Sequence, residues 1–357
     1  MYSLNPIQPM YFLAGITAFV FTFVLVLVAL WLFPKIGFMD RPHKYGLTRE
    51  SIPYYGGLTM IVAFFASVFL FVPVTKQLIG VLVGLTIIII VSFLDDRFQV
   101  KPIIRLAVQA ISAVIVSLFG VGVRSITNPL GGVLALDALH FNFFGHEVLI
   151  ISLLFTIFWV VLVVNSMNFF DGVPGLLSGI SCIAAIVLFL LSLRTGHVID
   201  QNQLIFLSII VAGISGAFVF FDFPTPKILM GDTGSMFLGF LLAVSAIFAG
   251  GKIATALIVL GIPLLDAIWS AVRRILKGKS PFVGDMDHLH HRLLRAGFSQ
   301  RQVILLMYVI SASFGVMALF LSSYQKMLAT FAIIFTMILL SILLFWRMRR
   351  GAKTEAK

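Results

Sequence analysis

Two adjacent carboxylates, Asp95 and Asp96, close an apolar run that reaches back to about Leu78 in "VSFLDDRFQVKP". Like charges at the end of a membrane-grade segment call for a positive partner. On a helix, neighbouring residues point about 100° apart. One carboxylate can therefore face a metal or a phosphate-bound cation while the other holds a Lys or Arg or accepts a proton. "NSMNFFDGVPGL" adds Asn165, Asn168 and Asp171. Asn165 and Asn168 share a helix face. Gly172, Pro174 and Gly175 predict that the helix unwinds there and lets all three oxygen-bearing side chains converge. Amide and carboxylate oxygens are hard ligands of the kind Mg²⁺ takes; helix capping accounts for one of the three, hardly for all.

Two further stretches carry chemistry. "MGDTGSMFLG" sets Asp232, Thr233 and Ser235 among glycines at the start of an apolar span. A helix N-terminus there attracts an anion or a metal-bound phosphate, with plain capping by Asp232 or Ser235 as the alternative. "DMDHLHHRLL" holds His288, His290 and His291. His288 and His291 share a helical face and His290 points away. Three histidines suggest zinc, but Arg273, Arg274, Arg292 and Arg295 make the surroundings cationic, which favours phosphate oxygens. Arg105 falls just inside the apolar span after Asp96, where solvation is poor. Asp266 in "GIPLLDAIW" lies near the end of another, as an arginine partner or a helper at the site.

The elements that must position these residues are transmembrane helices. Of 357 residues, 60% are hydrophobic, and the mean hydropathy is +1.10. The apolar residues come in blocks long enough for a bilayer core. Eleven spans are expected, near 10–33, 57–72, 78–94, 103–121, 148–164, 176–193, 203–221, 234–249, 253–271, 303–323 and 328–346. The first has no Lys or Arg before Lys35 and reads as a span, not a signal peptide. The expected fold is an all-α polytopic integral membrane protein with one transmembrane catalytic domain over 1–357. Residues 122–147, with Asn-Pro and Gly-Gly turn signals, are expected to form a small external hairpin. Cys182, the lone cysteine, excludes an internal disulfide framework.

Charge geography orients the chain. Twenty of the 25 Lys and Arg fall in the loops 34–56, 95–105, 222–233 and 272–302 and in the C-terminal tail. The positive-inside rule makes that side cytoplasmic, with the N-terminus outside. The +11 balance is thus explained by topology and not by nucleic acid. Eleven of the fourteen acidic residues lie on the same side, although acidic residues contribute little to topology. That clustering points to a site at the cytoplasmic face, in the five loops 34–56, 95–105, 165–175, 222–233 and 272–302. Carboxylates and amides to hold Mg²⁺, with cations to hold phosphates, suit phosphoryl transfer, where catalysis is mostly positioning and charge neutralisation. A secondary transporter would place ionisable residues near the bilayer midplane and often shows inverted repeats; neither is seen here.

The ordered set "DD", "NSMNFFDGVPGL", "MGDTGS", "GIPLLD" and "HLHHRLLRAG" resembles the polyprenyl-phosphate N-acetylhexosamine-1-phosphate transferases. "HLHH" followed by Arg292 is similar to the branch that transfers GlcNAc-1-phosphate, and an inside C-terminus agrees; the phospho-N-acetylmuramoyl-pentapeptide transferases are the alternative. The resemblance implies a multi-pass protein of the bacterial cytoplasmic membrane. In it, undecaprenyl phosphate would attack a UDP-N-acetylhexosamine to give a lipid-diphospho-sugar and UMP, with Mg²⁺ required and Mn²⁺ as a substitute. It implies catalytic roles for Asp95, Asp96 and Asp171, and metal binding by Asp232, Asn168 and Asp171. Substrate contacts would come from Asn165, Asn168, Arg105, His288, His290, His291, Arg292 and Lys44. Self-association into a homodimer is left open. The chain departs from the pattern in its first loop, "HKYGLTRESIPYYGG", which lacks a basic pair there, and in having Arg105 where relatives commonly carry Lys.

Overall fold

The computed structural model describes residues 9–42, 49–128, 131–143, 146–193, 201–249, 253–279 and 288–355. Lys44, Asp200, Asp285 and Asp287 lie outside them. In chain order the elements are α1 (Pro9–Ile36), α2 (Gly57–Phe71), α3 (Lys76–Phe98), α4 (Pro102–Leu118), β1 (Ser125–Thr127), β2 (Val133–Ala135), β3 (His140–Phe143) and β4 (His146–Leu149). There follow α5 (Ile150–Phe170), α6 (Leu176–Ser192), α7 (Gln201–Asp222), α8 (Gly231–Phe248), α9 (Ile253–Val259) and α10 (Gly261–Leu276). The last three are α11 (Leu289–Arg295), α12 (Gln300–Phe320) and α13 (Ser323–Glu355).

The chain is an all-α polytopic membrane protein. Each of the eleven expected apolar segments is helical, but they are not equivalent. Among the described residues seven helices are long and apolar enough to cross a membrane; α2, α4 and α6 are shorter apolar helices. The segment expected to span 253–271 is broken, since α9 and α10 meet at 83°. The break falls at Leu260–Gly261, two residues before Pro263, which removes a backbone donor and crowds the preceding turn. Residues 122–147 form two hairpins instead of one. β1 pairs with β2 and β3 with β4, both antiparallel, and the Asn128 N–H donates to the Gly132 carbonyl at 3.1 Å between the first pair.

α8 is the axis of the bundle. Of its residues only Asp232 is not buried, and α2, α3, α5 and α7 pack around it. Small residues allow this close approach, as in other membrane helix pairs. A Cβ at Gly57 would meet the Gly234 backbone, and one at Gly239 would come within 2.9 Å of the α5 backbone at Val164. The buried Trp159 of α5 donates its indole N–H to the Ala243 carbonyl of α8 at 3.0 Å. A continuous core runs from Tyr11 in α1 to Leu319 in α12, and a small cluster of Ile258, Ala318, Ala329 and Ile333 seats α13 at the edge.

This packing gathers the ends of α3 and α5 and the starts of α4 and α8 at one end of the bundle. The backbone of the first loop joins them there, with Gly56 and Gly57 N–H donating to the Leu229 and Met230 carbonyls at 2.8 and 2.9 Å. Replacing Gly57 with Ala should force α2 away from α8 and lower stability by about 1–3 kcal/mol, the usual cost of overpacking. Thermal unfolding of the purified protein in detergent measures it, and an unchanged midpoint would show that the α2–α8 contact is looser than described.

Candidate active site

Arg105, on the first turn of α4, reaches three helices at once. Its guanidinium Nη1 lies 2.7 Å from Asp95 Oδ2 of α3 and 3.2 Å from Asp232 Oδ2 of α8, and Nη2 donates to Asn168 Oδ1 of α5 at 2.8 Å. Asn168 then donates Nδ2 to Asp232 Oδ1 at 2.9 Å and to Ser235 Oγ at 2.8 Å. One turn deeper the pattern repeats with amides: Asn165 Nδ2 donates to Gln109 Oε1 at 2.6 Å. Arg105 and Gln109 are four apart on α4, and Asn168 and Asn165 three apart on α5, so the two faces meet as a ladder.

The carboxylates that open the sequence reading have different duties. Asp95 is buried; its Oδ1 accepts the Val100 N–H at 2.7 Å, closing the α3–α4 turn, while Oδ2 faces Arg105. Asp96 sits on the N-terminus of α8. It accepts the backbone N–H groups of Asp232 at 2.9 Å and Thr233 at 3.0 Å, the Thr233 hydroxyl at 2.5 Å, and the Tyr54 hydroxyl at 2.8 Å. The anion expected at that helix N-terminus is therefore the protein's own carboxylate, favoured there by the helix dipole and free N–H groups. Burial and the carboxylates of Asp96 and Asp232 push the Tyr54 phenol far up, so it stays protonated and donates. Asp96 and Tyr54 also line a cavity of about 380 Å³ with Asp40, Arg41 and Arg97 in its wall. Arg49 is tied to Asp40 in an ion pair.

Asp171 stands apart. The expected convergence of Asn165, Asn168 and Asp171 on an unwound helix end does not occur: α5 stays helical through Phe170 and only Asp171 lies beyond it. The breakers Gly172, Pro174 and Gly175 begin one residue too late to unwind the asparagines. Among the described residues no hydrogen bond engages the Asp171 carboxylate. Burial first, then the charges of Asp222, Asp232 and Asp96, raises it well above the usual carboxylate range.

The histidines come to the same turn. His288 precedes α11 with extended backbone, outside the helical spacing on which the face assignment rested. Its ring therefore stacks on His290 at 5.9 Å, and His290 meets His291 at 4.2 Å. His290 does not point away: it is fully buried, lies edge-on to Phe170, and a Cβ at Gly172 would come within 2.6 Å of its Nε2. Asp266 holds the group in place, with Oδ2 at 2.8 Å from His288 Nδ1 and Oδ1 accepting the Leu289 N–H at 2.9 Å. Arg292 instead donates to the Ser341 hydroxyl and carbonyl of α13, each at 3.1 Å. Lys44 lies outside the described residues. Tyr54, Gln109 and the Asp266–His288 contact were not readable as site features from spacing. The aromatic pair before Gly56 and Gly57 is the one signal that could have singled out Tyr54.

The donor set can be tested against Mg²⁺. Among the described residues no three His, Cys, Asp or Glu side chains form a ready cage. Mg²⁺ is usually held by one or two carboxylates with water and substrate phosphates, so such a cage is not required. Among the described residues Asp171 has no hydrogen-bond partner on its carboxylate, and it and Asp232 share an acidic neighbourhood in which Arg105 ion-pairs with Asp95 and Asp232. The residues fit a hard divalent cation.

Comparison with known proteins agrees. Residues 78–250 match the model of glycosyl transferase family 4, the segment that carries Asp95, Asp96, Arg105, Asn168, Asp171 and Asp232. A decaprenyl-phosphate N-acetylglucosaminephosphotransferase of Mycobacterium leprae (strain TN) is 30% identical over 329 residues, covering 83% of this chain and 80% of that protein. The chain belongs to glycosyl transferase family 4. Within that family it is also similar to the "Probable undecaprenyl-phosphate N-acetylglucosaminyl 1-phosphate transferase" of Bacillus subtilis (strain 168), 28% identical over 316 residues, 87% of this chain and 84% of that one. The undecaprenyl-phosphate alpha-N-acetylglucosaminyl 1-phosphate transferase of Escherichia coli (strain K12) is 28% identical over 319 residues, 85% and 82% of the two chains. In this family 4 chain the histidine helix lies beyond the matched segment, yet the fold brings it to Gly172.

Burial, with His291 and His288 adjoining, pushes His290 down to about 2 from 6.5. The unfolded chain binds a proton below about pH 6.5 that folded His290 refuses, so this residue removes stability as pH falls, by up to about 1.4 kcal/mol per pH unit. His290→Gln should flatten the loss of thermal stability between pH 6.5 and 5 relative to the unsubstituted protein. Identical pH profiles would show that His290 takes up a proton in the fold.

Proposed function

We propose that this chain transfers N-acetylglucosamine 1-phosphate from UDP-N-acetylglucosamine to a polyprenyl phosphate, giving polyprenyl diphospho-N-acetylglucosamine and UMP. The observation that carries the reading is the meeting of Asp95, Asp96, Asp171 and Asp232 with Arg105 and three histidines at one end of a membrane bundle. The names of the relatives support the sugar and the lipid class. The charge asymmetry of the loops supports a cytoplasmic site in a bacterial inner membrane.

In the reaction an oxygen of the lipid phosphate forms a bond to the β-phosphorus of the UDP-sugar. The bond from that phosphorus to the bridging oxygen breaks, and UMP leaves with the oxygen. Asp171 and Asp232 would hold Mg²⁺, whose chemistry when bound is to neutralise charge on the diphosphate, and Asn168 orients Asp232 through its amide. Arg105 offers a second, fixed positive charge, kept in place by Asp95. The histidine cluster, braced by Asp266, faces the Asp171 turn and is the protein surface suited to phosphate oxygens. Asp95 and Asp96 act by positioning: Asp95 orients Arg105, and Asp96 fixes the start of α8 and so Asp232. Direct attack by the lipid phosphate needs no covalent enzyme intermediate, and neither carboxylate of the pair is free to form one.

The test is UMP release by the purified protein with undecaprenyl phosphate, UDP-N-acetylglucosamine and Mg²⁺. The unsubstituted enzyme should produce UMP and lipid-linked sugar, with activity lost on chelation and restored by Mg²⁺ or Mn²⁺. Asp171→Asn and Asp232→Asn should each cost on the order of 10²-fold or more, as loss of a charge-stabilising group does, while Asp137→Asn, at an exposed position among the external hairpins, changes the rate by less than about twofold, the expectation for a surface substitution. No UMP from any UDP-N-acetylhexosamine overturns the reading; activity with a UDP-muramoyl-pentapeptide alone moves the chain to the other branch.

A further inference from the structure

Asp222 is a buried carboxylate with no part in the reaction outlined above. It is the last residue of α7 and is 2% exposed. Such a group must be hydrogen-bonded to be tolerated. Its partner is on the first turn of α6, just after the turn that follows Asp171: the Ser178 hydroxyl donates to Oδ2 at 2.9 Å.

Gly175 is the pivot of that turn. Its φ of +85° is a left-handed conformation, and a Cβ there would lie 2.9 Å from Phe223 Cβ, so only glycine fits. Its carbonyl is held from the opposite side by the Tyr308 hydroxyl of α12, and Ser178 Oγ lies 3.3 Å from the same oxygen. Gln300, at the start of α12, donates to the Pro174 carbonyl at 3.5 Å. At the other end of the turn Gly172 is pressed against His290 and His291, with 2.6 and 3.1 Å to their Nε2 atoms from a Cβ placed there. The five residues from Asp171 to Gly175 are therefore gripped at both ends. Shifting the Gly175 end moves Asp171, because the histidines leave Gly172 no room to absorb the change.

We propose that Asp222 is a positioning residue: by holding the Ser178 hydroxyl beside the Gly175 carbonyl it fixes the turn that presents Asp171 to the site. It acts on Asp171 through the backbone; its charge is also felt at Asp171, so hydrogen exchange, which reads the backbone and not the charge, decides the role.

The distinction between position and charge is testable because asparagine can reproduce the contact. Its amide oxygen can accept the Ser178 hydroxyl, while the negative charge is gone. Asp222→Ala should lower kcat by on the order of 10–10²-fold, the size of effect expected from misplacing a catalytic group by about an ångström. KM for the UDP-sugar should change less than about threefold, and amide hydrogen exchange across residues 171–176 should accelerate. Asp222→Asn should keep exchange near that of the unsubstituted protein. Should Asp222→Ala fail to insert or fold, Tyr308→Phe, which releases the Gly175 carbonyl from the other side, should show the same pairing of faster exchange and lower kcat.

The kinetic arm rests on the transfer reaction proposed above; the exchange arm does not. An unsubstituted enzyme that makes no UMP removes that reaction while leaving the exchange comparison to decide about the grip. Unaltered exchange in Asp222→Ala, or exchange in Asp222→Asn as fast as in Asp222→Ala, overturns the positioning role.

Discussion

One guanidinium holds the site together. Arg105 joins α4 to α3 through Asp95, to α8 through Asp232 and to α5 through Asn168. A charge at this depth is costly to desolvate and repays the cost only when its partners satisfy it. Arg105 is planar and presents several donors in fixed directions, so it can serve a carboxylate from each of two helices and an amide from a third. The polar end of α8, which the bundle otherwise buries throughout, depends on that arrangement.

The surrounding hydrogen bonds serve the same end. Asp96 and Tyr54 fix the first turn of α8, and the Gln109–Asn165 amide pair locks α4 to α5 one turn below Arg105. Asp266 orients His288 and starts α11. Most polar groups near the site are thus satisfied by the protein itself. Asp171 is different: among the described residues no hydrogen bond engages its carboxylate, which burial and acidic neighbours raise. That contrast marks Asp171 as the carboxylate the proposed Mg²⁺ would meet.

Much of this was legible in the residues. Apolar blocks gave the helices, because hydrophobic length alone decides them, and charge asymmetry separated the two ends. The identities of Asp95, Asp96, Arg105, Asn168, Asp171 and Asp232 were readable because ionisable and amide groups beside membrane-grade segments are rare. Their division of labour was not. Asp95 and Asp96 are neighbours in sequence, and only the approach of α8 to one and of α4 to the other tells them apart. His290 was assigned to the wrong face because His288 lies just before α11, where helical spacing does not apply. Asp222, at the edge of the 222–233 loop, gave no sign of this role because its partner Ser178 is more than forty residues away in sequence. The break at Leu260 was hidden inside an apolar run whose composition is that of a single span.

The site depends most directly on coupling between Arg105 and Asp95, and a double-mutant cycle measures it. Unfolding free energies in micelles would be compared for Arg105→Gln, Asp95→Asn and the two combined. If Arg105 is the shared tie, each single substitution strands its partner. The combined variant should then be less destabilised than the sum of the singles by about 1–3 kcal/mol, the range found for residues in one buried network. Effects that add within about 0.5 kcal/mol, the margin for independent sites, would contradict it.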